Sequence, residues 1–241
     1  MDPKYGEKYR ELYERHWWWR AREAGVLKAL RAHQPAEGWG RILDVGCGDG
    51  LFFDRLRELG DVEGVEPDAA LVRSDGPHRA RIQIVPFDSS FRPGKQYSLI
   101  LMLDVLEHMP DPLAAIGHAC ALLLPGGALL ATVPAFNLLW TNHDVINHHV
   151  TRYRKATLRP LFKQAGLQIL EERYLFQWIF PAKLLTRAVE RIFATRPAVP
   201  SVPPNWLNQS LLWISRFERT VLSPFPIPFG SSLVVFAKNR S

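Results

Sequence analysis

Cysteine is scarce. Cys47 and Cys120 are the only two in 241 residues, and they stand in unrelated stretches. A disulfide framework is excluded, and a reducing compartment is the expected setting. Long apolar runs are missing too. No stretch of 18 consecutive apolar residues occurs, which excludes a membrane-spanning helix. Met1 to Arg15 is highly charged, so no signal peptide is expected and the expected location is cytoplasmic. Acidic residues are short in one region only. Residues 1–149 carry 16 Lys and Arg against 20 Asp and Glu, whereas residues 150–220 carry 12 against 4. This basic excess suits an acidic substrate, an anionic membrane surface or plain solubility. Clustered Lys and Arg interleaved with stacking aromatics are lacking, so no nucleic-acid partner is expected.

What is present is organised around Ile42-Leu43-Asp44-Val45-Gly46-Cys47-Gly48-Asp49-Gly50. β-formers lead into a turn with glycine at every second position, and Leu51 to Leu59 then has apolar residues at helical spacing. The pattern predicts buried strand, tight loop, helix. Gly46, Gly48 and Gly50 let the backbone turn and keep side chains out of the way of a ligand, and a helix start above the loop would add free N–H groups. In doubly wound folds such a crevice binds a nucleotide-like ligand. The spacing differs from the Gly-x-Gly-x-x-Gly of dinucleotide sites. Asp44 would repel a pyrophosphate and attract an ammonium or sulfonium. Glu66 ends the next predicted strand, Val62 to Glu66, where a ribose-binding acid is expected.

This stretch resembles the first motif of class I S-adenosylmethionine-dependent methyltransferases. The resemblance implies that Asp44, Gly46, Gly48 and Gly50 hold the methionine portion of S-adenosylmethionine and Glu66 the ribose hydroxyls. It further implies that Asp88, after a predicted strand Arg81–Val85, meets the adenine amine beside Ser89, with Leu103 at the end of the fourth strand. Phe87 departs from the family pattern, which more often has glycine before this acid; an Asx-turn is the plain alternative for Asp88.

The remaining chain continues the alternation. Tyr97–Leu103 is a continuous apolar run and predicts a strand buried on both faces. Asp111-Pro112 predicts an N-cap with proline in the first helical turn, with a helix to Leu124 broken by Pro125-Gly126-Gly127. Ala128–Pro134 is the fifth strand, Thr157–Leu167 a helix closed by a glycine, Gln168–Phe176 the sixth strand and Ser232–Ala237 the last. The fold expected is α/β, a doubly wound, Rossmann-like seven-stranded sheet. The resemblance adds a last strand that is antiparallel. Residues 4 to about 33 read as one helix, with Tyr5, Tyr9, Leu12, Tyr13 and His16 on one face. Trp17, Trp18 and Trp19 follow, and three consecutive tryptophans cannot all face one core. The expected division is an N-terminal helical cap (1–40), a cofactor-binding domain (41–176 and 232–241) and a helical insert (177–231).

After the fifth strand comes a dense polar cluster, Trp140-Thr141-Asn142-His143-Asp144 and then His148-His149-Val150-Thr151-Arg152-Tyr153. It resembles a branch of the same superfamily with a W-x-x-H-D…H-x-x-R-Y signature. The implied activity is methyl transfer to a small or lipid-linked, anionic acceptor, with O-methylation favoured. His149 and His143 are the candidate general bases, Asp144 their orienting acid, and Trp18, His108, Arg152 and Tyr153 the acceptor-side residues. Histidine titrates near neutrality and suits proton abstraction from a hydroxyl. Glu107 and His108 are adjacent, so two metal ligands from this pair would require a bent backbone. The cluster histidines fit no standard zinc spacing, and no metal is expected. A nicotinamide-dependent oxidoreductase and a non-catalytic membrane-surface or nucleic-acid adaptor are the alternatives. The insert predicts helices at Pro181–Phe193 and Trp206–Leu222, joined by the proline-rich Arg196–Pro204. Lys183, Arg187 and Arg191 recur at i+4, opposite Leu184, Leu185, Ala188, Val189 and Ile192. A lid or a peripheral membrane contact is expected there.

Overall fold

In a computed structural model of the chain, residues 3–193, 199–222 and 225–240 are described, with side chains from residue 8 onward. The Tyr5 side chain and Arg196-Pro197-Ala198 lie outside the described residues. The sheet has seven strands, β1 (Arg41–Val45), β2 (Asp61–Val65), β3 (Ile82–Gln83), β4 (Tyr97–Leu103), β5 (Leu123–Pro134), β6 (Leu167–Leu175) and β7 (Ser232–Asn239). Their spatial order is β3-β2-β1-β4-β5-β7-β6, with β1 to β5 parallel and β7 antiparallel. Leu99, Ile100, Leu101 and Met102 of β4 are completely buried, as an apolar run in a sheet covered on both faces should be.

Eight α-helices are present among the described residues: α1 (Pro3–Arg15), α2 (Trp17–Ala32), α3 (Phe53–Leu56), α4 (Pro112–Leu122), α5 (Asn142–Ile146), α6 (Lys155–Gln164), α7 (Ile179–Phe193) and α8 (Asn205–Val221). Two compact units result. One comprises residues 33–133, 154–172 and 234–241 and carries most of the sheet; the other comprises residues 1–32, 134–153 and 173–233 and is mainly helical. Residues 134–153 group with the N-terminal helices and with the 173–233 segment.

Several element lengths differ from expectation. The helix after the glycine loop is only α3, because Leu59 bonds back to Leu56 and the turn ends at Gly60. A Cβ on Gly60 would lie 2.5 Å from the Gly40 carbonyl oxygen. Strand β3 is two residues, since a 3₁₀ turn takes Arg79–Arg81 and Pro86 lacks a ladder donor. The segment after Glu66 forms a single 3₁₀ turn, Ala69–Leu71, capped by Asp68. Strand β5 starts at Leu123 rather than Ala128. Leu123 pairs with Tyr97 and Ala128 with Leu99, so Leu124–Gly127 bulges outward, with Gly126 at φ +73°.

The expected single N-terminal helix is two helices broken at His16. The Trp18 N–H donates to His16 Nδ1 at 3.1 Å. The break frees a carbonyl and an N–H, and Asn208 of α8 satisfies both: its Oδ1 accepts from the Trp17 N–H and its Nδ2 donates to the Arg15 carbonyl, each at 2.8 Å. The break also sorts the tryptophans. Trp17 packs with Phe176, Ile179 and Leu212, and Trp19 with Leu12 and Ile146, while half-buried Trp18 touches both clusters. Replacing Asn208 by alanine strands the buried Trp17 N–H, at about 1–3 kcal/mol, and removes the partner of the part-buried Arg15 carbonyl. A lowered urea midpoint is expected for Asn208→Ala, and a smaller loss for Asn208→Asp, which keeps the acceptor.

Candidate active site

The glycine loop lies in the sheet-bearing unit. Gly46, Gly48 and Gly50 adopt φ of +70°, +53° and +69°, which side chains rarely tolerate. The loop is pinned underneath, because the Gly46 N–H donates to the Val65 carbonyl at 2.8 Å. A Cβ on Gly46 would collide with Val105 at 2.8 Å, whereas one on Gly48 would meet nothing within 4 Å. The loop is therefore closed on one side and open on the other. Glu66 is buried and ties the loop to the end of β2: Oε2 accepts from the Gly48 N–H and Oε1 from the Asp68 N–H, both at 2.9 Å. Each oxygen keeps lone-pair capacity for a hydroxyl donor. Burial raises the Glu66 carboxyl above its ordinary range, against those backbone bonds.

Asp44 is also buried, at the end of β1. Burial drives the Cys47 thiol up, and the charges of Asp44 and Glu66 push it further. Cys47 is thus a packed thiol, with its side chain against Gly64, and not a nucleophile. Two buried acidic side chains, Asp44 and Glu66, thus flank a glycine loop with one open face. That donor set fits a ligand with a cationic amino-acid end and a ribose, and opposes a pyrophosphate. Asp88 is exposed, and Oδ1 accepts from the Ser90 N–H at 2.8 Å and its hydroxyl at 2.6 Å, an Asx-turn that lowers its pKa. Ser89 is exposed, and Leu103, half-buried, closes β4. One residue given no role from sequence stands next to it. Asp104 has φ +57°, and its Oδ1 accepts from the Thr132 hydroxyl at 2.9 Å. A strained non-glycine residue at a strand's carboxyl end is a mark of functional sites, invisible in a motif search.

His143, Asp144, His149, Arg152, Tyr153 and Trp18 lie in the helical unit, and two of them, His149 and Arg152, bond the Asp144 carboxylate. Asp144 is fully buried. Arg152 grips it in a fork, Nε to Oδ1 and Nη2 to Oδ2, each at 2.8 Å. His149 Nδ1 reaches Oδ1 at 2.8 Å, and the Thr141 N–H donates to Oδ2 at 2.8 Å. Burial alone would raise this carboxyl, but the bonds from His149 and Arg152 outweigh it and hold the pKa far below the usual range. Thr141 and Asp144 form the start of α5 as a capping pair, at a spacing legible in the sequence. Arg152, expected on the acceptor side, is buried here. Its third nitrogen, Nη1, donates to the Ala135 carbonyl at 3.1 Å, and its guanidinium is buried and occupied. It positions Asp144. Tyr153 is buried, and its backbone pairs with Pro134 and Phe136.

The two histidines separate. His143 is pushed down to about 3, by burial first and then by the Lys183 charge. It is neutral at pH 7 but a poor proton acceptor. His149 bonds Asp144 through Nδ1. Trp18 stacks on Phe176 at 5.9 Å with the Arg22 guanidinium over its ring, so packing holds it. In the other unit, Glu107 is buried and His108 exposed in a 3₁₀ turn after β4. A clamp missed from sequence comes from α7. Arg187 donates to the Asn137 carbonyl at 2.7 Å and to the Leu138 carbonyl, and Glu190 accepts from the Asn142 N–H at 2.9 Å.

A family model described as a methyltransferase domain matches residues 10–172. Among curated proteins, the ubiquinone biosynthesis O-methyltransferase of Xanthomonas euvesicatoria pv. vesicatoria is 30% identical over 195 residues, covering 68% of this chain and 80% of that protein. The same-named enzyme of Xanthomonas campestris pv. campestris (strain B100) is 33% identical over 192 residues, covering 68% and 78%. The fold matches the N-methyltransferase NodS of Bradyrhizobium japonicum WM9, solved with S-adenosyl-L-homocysteine, at TM-score 0.58 and 13% identity, over 96% of this chain and 91% of that one. It also matches a methyltransferase from Archaeoglobus fulgidus at TM-score 0.55 and 14% identity, over 90% and 94%.

Because the Asp144 carboxyl is depressed on folding, its stabilisation is complete above the unfolded value near pH 4 and is lost as pH falls from there through the folded value. Asp144→Asn leaves Arg152 buried without its counter-charge, a loss of about 3–5 kcal/mol. Denaturant midpoints across pH should show that loss at neutrality and a flatter acid limb in the variant.

Proposed function

This chain belongs to the class I S-adenosylmethionine-dependent methyltransferases, and from that premise we propose that it methylates a hydroxyl oxygen on a small or lipid-linked acceptor, with His149 as general base. The observation that carries the reading is the 2.8 Å bond from His149 Nδ1 to Asp144. Asp144 is ionised and cannot turn, since Arg152 and Thr141 occupy it on the other sides. It fixes the imidazole tautomer with the lone pair on Nε2 and stabilises the imidazolium formed when a hydroxyl proton arrives. The O-methyltransferase names of the curated relatives favour oxygen as the acceptor atom.

In this reading bound S-adenosylmethionine supplies an electrophilic methyl group on a sulfonium. Asp44 neutralises the cationic amino-acid end, Glu66 accepts from the ribose hydroxyls, and the open face of Gly48 lets the ligand approach the backbone. Asp88 and Ser89 take the adenine, with Leu103 as an apolar wall. Trp18, His108 and Tyr153 contact the acceptor, and Arg152 acts through Asp144. Alignment supplies much of the rate, because in-line displacement needs little covalent help. An anionic acceptor accords with the basic bias of residues 150–220. A peripheral membrane contact through 177–231 is part of this reading, supported by the apolar surface that this segment exposes.

Two measurements test it. By isothermal titration, Asp44→Ala and Glu66→Ala should each weaken S-adenosylmethionine binding by about tenfold or more, as expected for a lost charge-assisted contact; undiminished affinity in both would overturn the cofactor placement. His149→Ala should lower kcat by about 10²–10⁴-fold with cofactor affinity kept. His143→Ala should leave kcat nearly unchanged. An unchanged kcat in His149→Ala would sink the base assignment.

A further inference from the structure

Helices α7 and α8 are turned inside out relative to ordinary surface helices. The sequence pattern places the cations of α7 on one side and Leu185, Val189 and Ile192 on the other. On folding, Lys183, Arg187 and Glu190 turn inward, where Arg187 and Glu190 hold the Asn137–Asn142 segment and the Lys183 charge acts on His143, while Arg191 at the end of the same side stays exposed. The apolar side turns outward: Leu185 is 67% exposed, Ile192 73% and Phe193 71%. α8 repeats the inversion. Its inner face carries the buried Asn208, Ser215 and Glu218 beside Leu212. Asn208 bridges the α1–α2 break, Ser215 accepts from the Trp178 indole at 3.3 Å, and Glu218 accepts from the Trp178 N–H at 2.9 Å. Its outer face carries Trp206, Trp213 and Phe217 at helical spacings of seven and four, 72%, 65% and 53% exposed. Trp213 and Phe217 stack on each other at 5.6 Å.

We propose that the outward faces of α7 and α8 together form a docking surface for an anionic lipid bilayer. Both faces belong to one compact unit. The inward polar groups are committed to holding the fold, so neither helix can bury its apolar side by rotating in place without breaking those bonds. Tryptophan and phenylalanine on an exposed helix face are the side chains that settle at a membrane interface. Charge selects the occupant. Residues 173–233 contain seven Lys and Arg and two acids, and both acids, Glu190 and Glu218, are drawn inward by backbone N–H groups. Arg191 and Arg216 are exposed. A cationic rim around apolar aromatics complements anionic headgroups and opposes a second cationic copy. No helix among the described residues is long and apolar enough to cross a bilayer, so the contact lies along the interface. The inference deepens the membrane part of the functional reading and is independent of the base and of the acceptor.

Flotation of the full chain with phosphatidylcholine vesicles, and with vesicles also containing phosphatidylglycerol, tests it, read together with tryptophan emission. Flotation and a blue shift are expected with the anionic vesicles, weakening as salt rises. The double variants Trp213→Ser/Phe217→Ser and Leu185→Ser/Ile192→Ser should each weaken anionic-vesicle binding by about tenfold or more. All four positions are exposed, and retained S-adenosylmethionine binding confirms that the variants fold. Equal binding to both vesicle types, no binding, or variants that bind like the parent would overturn the proposal. So would a concentration-dependent dimer that the same substitutions dissolve without any vesicle binding. A failed His149 result leaves the flotation outcome untouched, so the two readings fail separately.

Discussion

One buried carboxylate dictates the local structure of residues 135–153. An ionised Asp144 with no solvent contact is tolerable only if each oxygen is saturated. Arg152 supplies two bonds, Thr141 two, from its N–H and its hydroxyl, and His149 one. Arg152 must then be buried as well, and its remaining nitrogen is satisfied by the Ala135 carbonyl. Its own N–H goes to the Asn137 side chain at 2.9 Å, which ties the loop after β5 to the segment that follows α5. The imidazole of His149 is held in this set through Nδ1. A structural demand, the neutralisation of Asp144, thus leaves behind a histidine with a fixed tautomer.

The same demand for satisfied polar groups explains the inverted helices. Asn208 and Glu218 place side chains where chain breaks free backbone groups: the first at His16, the second before α7, where Phe176 adopts φ +59°. Burial and the bonds from backbone N–H groups work against each other on the Glu218 carboxyl, and burial wins, raising it. Turning the polar side of α8 inward leaves Trp206, Trp213 and Phe217 outward. Exposed aromatics at this density are costly in water unless a partner covers them.

The glycine loop rests on a different constraint. Three residues in the left-handed region within five positions require glycine. Gly64 below them must also be glycine, since a Cβ would lie 2.4 Å from Cys47 Sγ. Strand, loop and the two carboxylates Asp44 and Glu66 are therefore a single local device, and this is why it is legible from nine residues and one neighbouring acid.

What the sequence determined by itself is what short-range geometry determines. The apolar run of β4, the glycine spacing after β1, the Asp111-Pro112 cap, whose side chain accepts from the Ala114 N–H at 2.9 Å, and the helices at 179–193 and 205–221 follow from periodicity and backbone permissiveness within a few residues. The tertiary structure decided what depends on partners distant in the chain. The break at His16 rests on Asn208, some 190 residues away. Which of the two histidines meets Asp144, and which lies buried under the Lys183 charge, is set by packing. The fork of Arg152 on Asp144 rests on the burial of both. The direction in which α7 faces could not be read from its pattern, because an amphipathic helix has the same sequence whether its polar side meets water or the carbonyls of another loop.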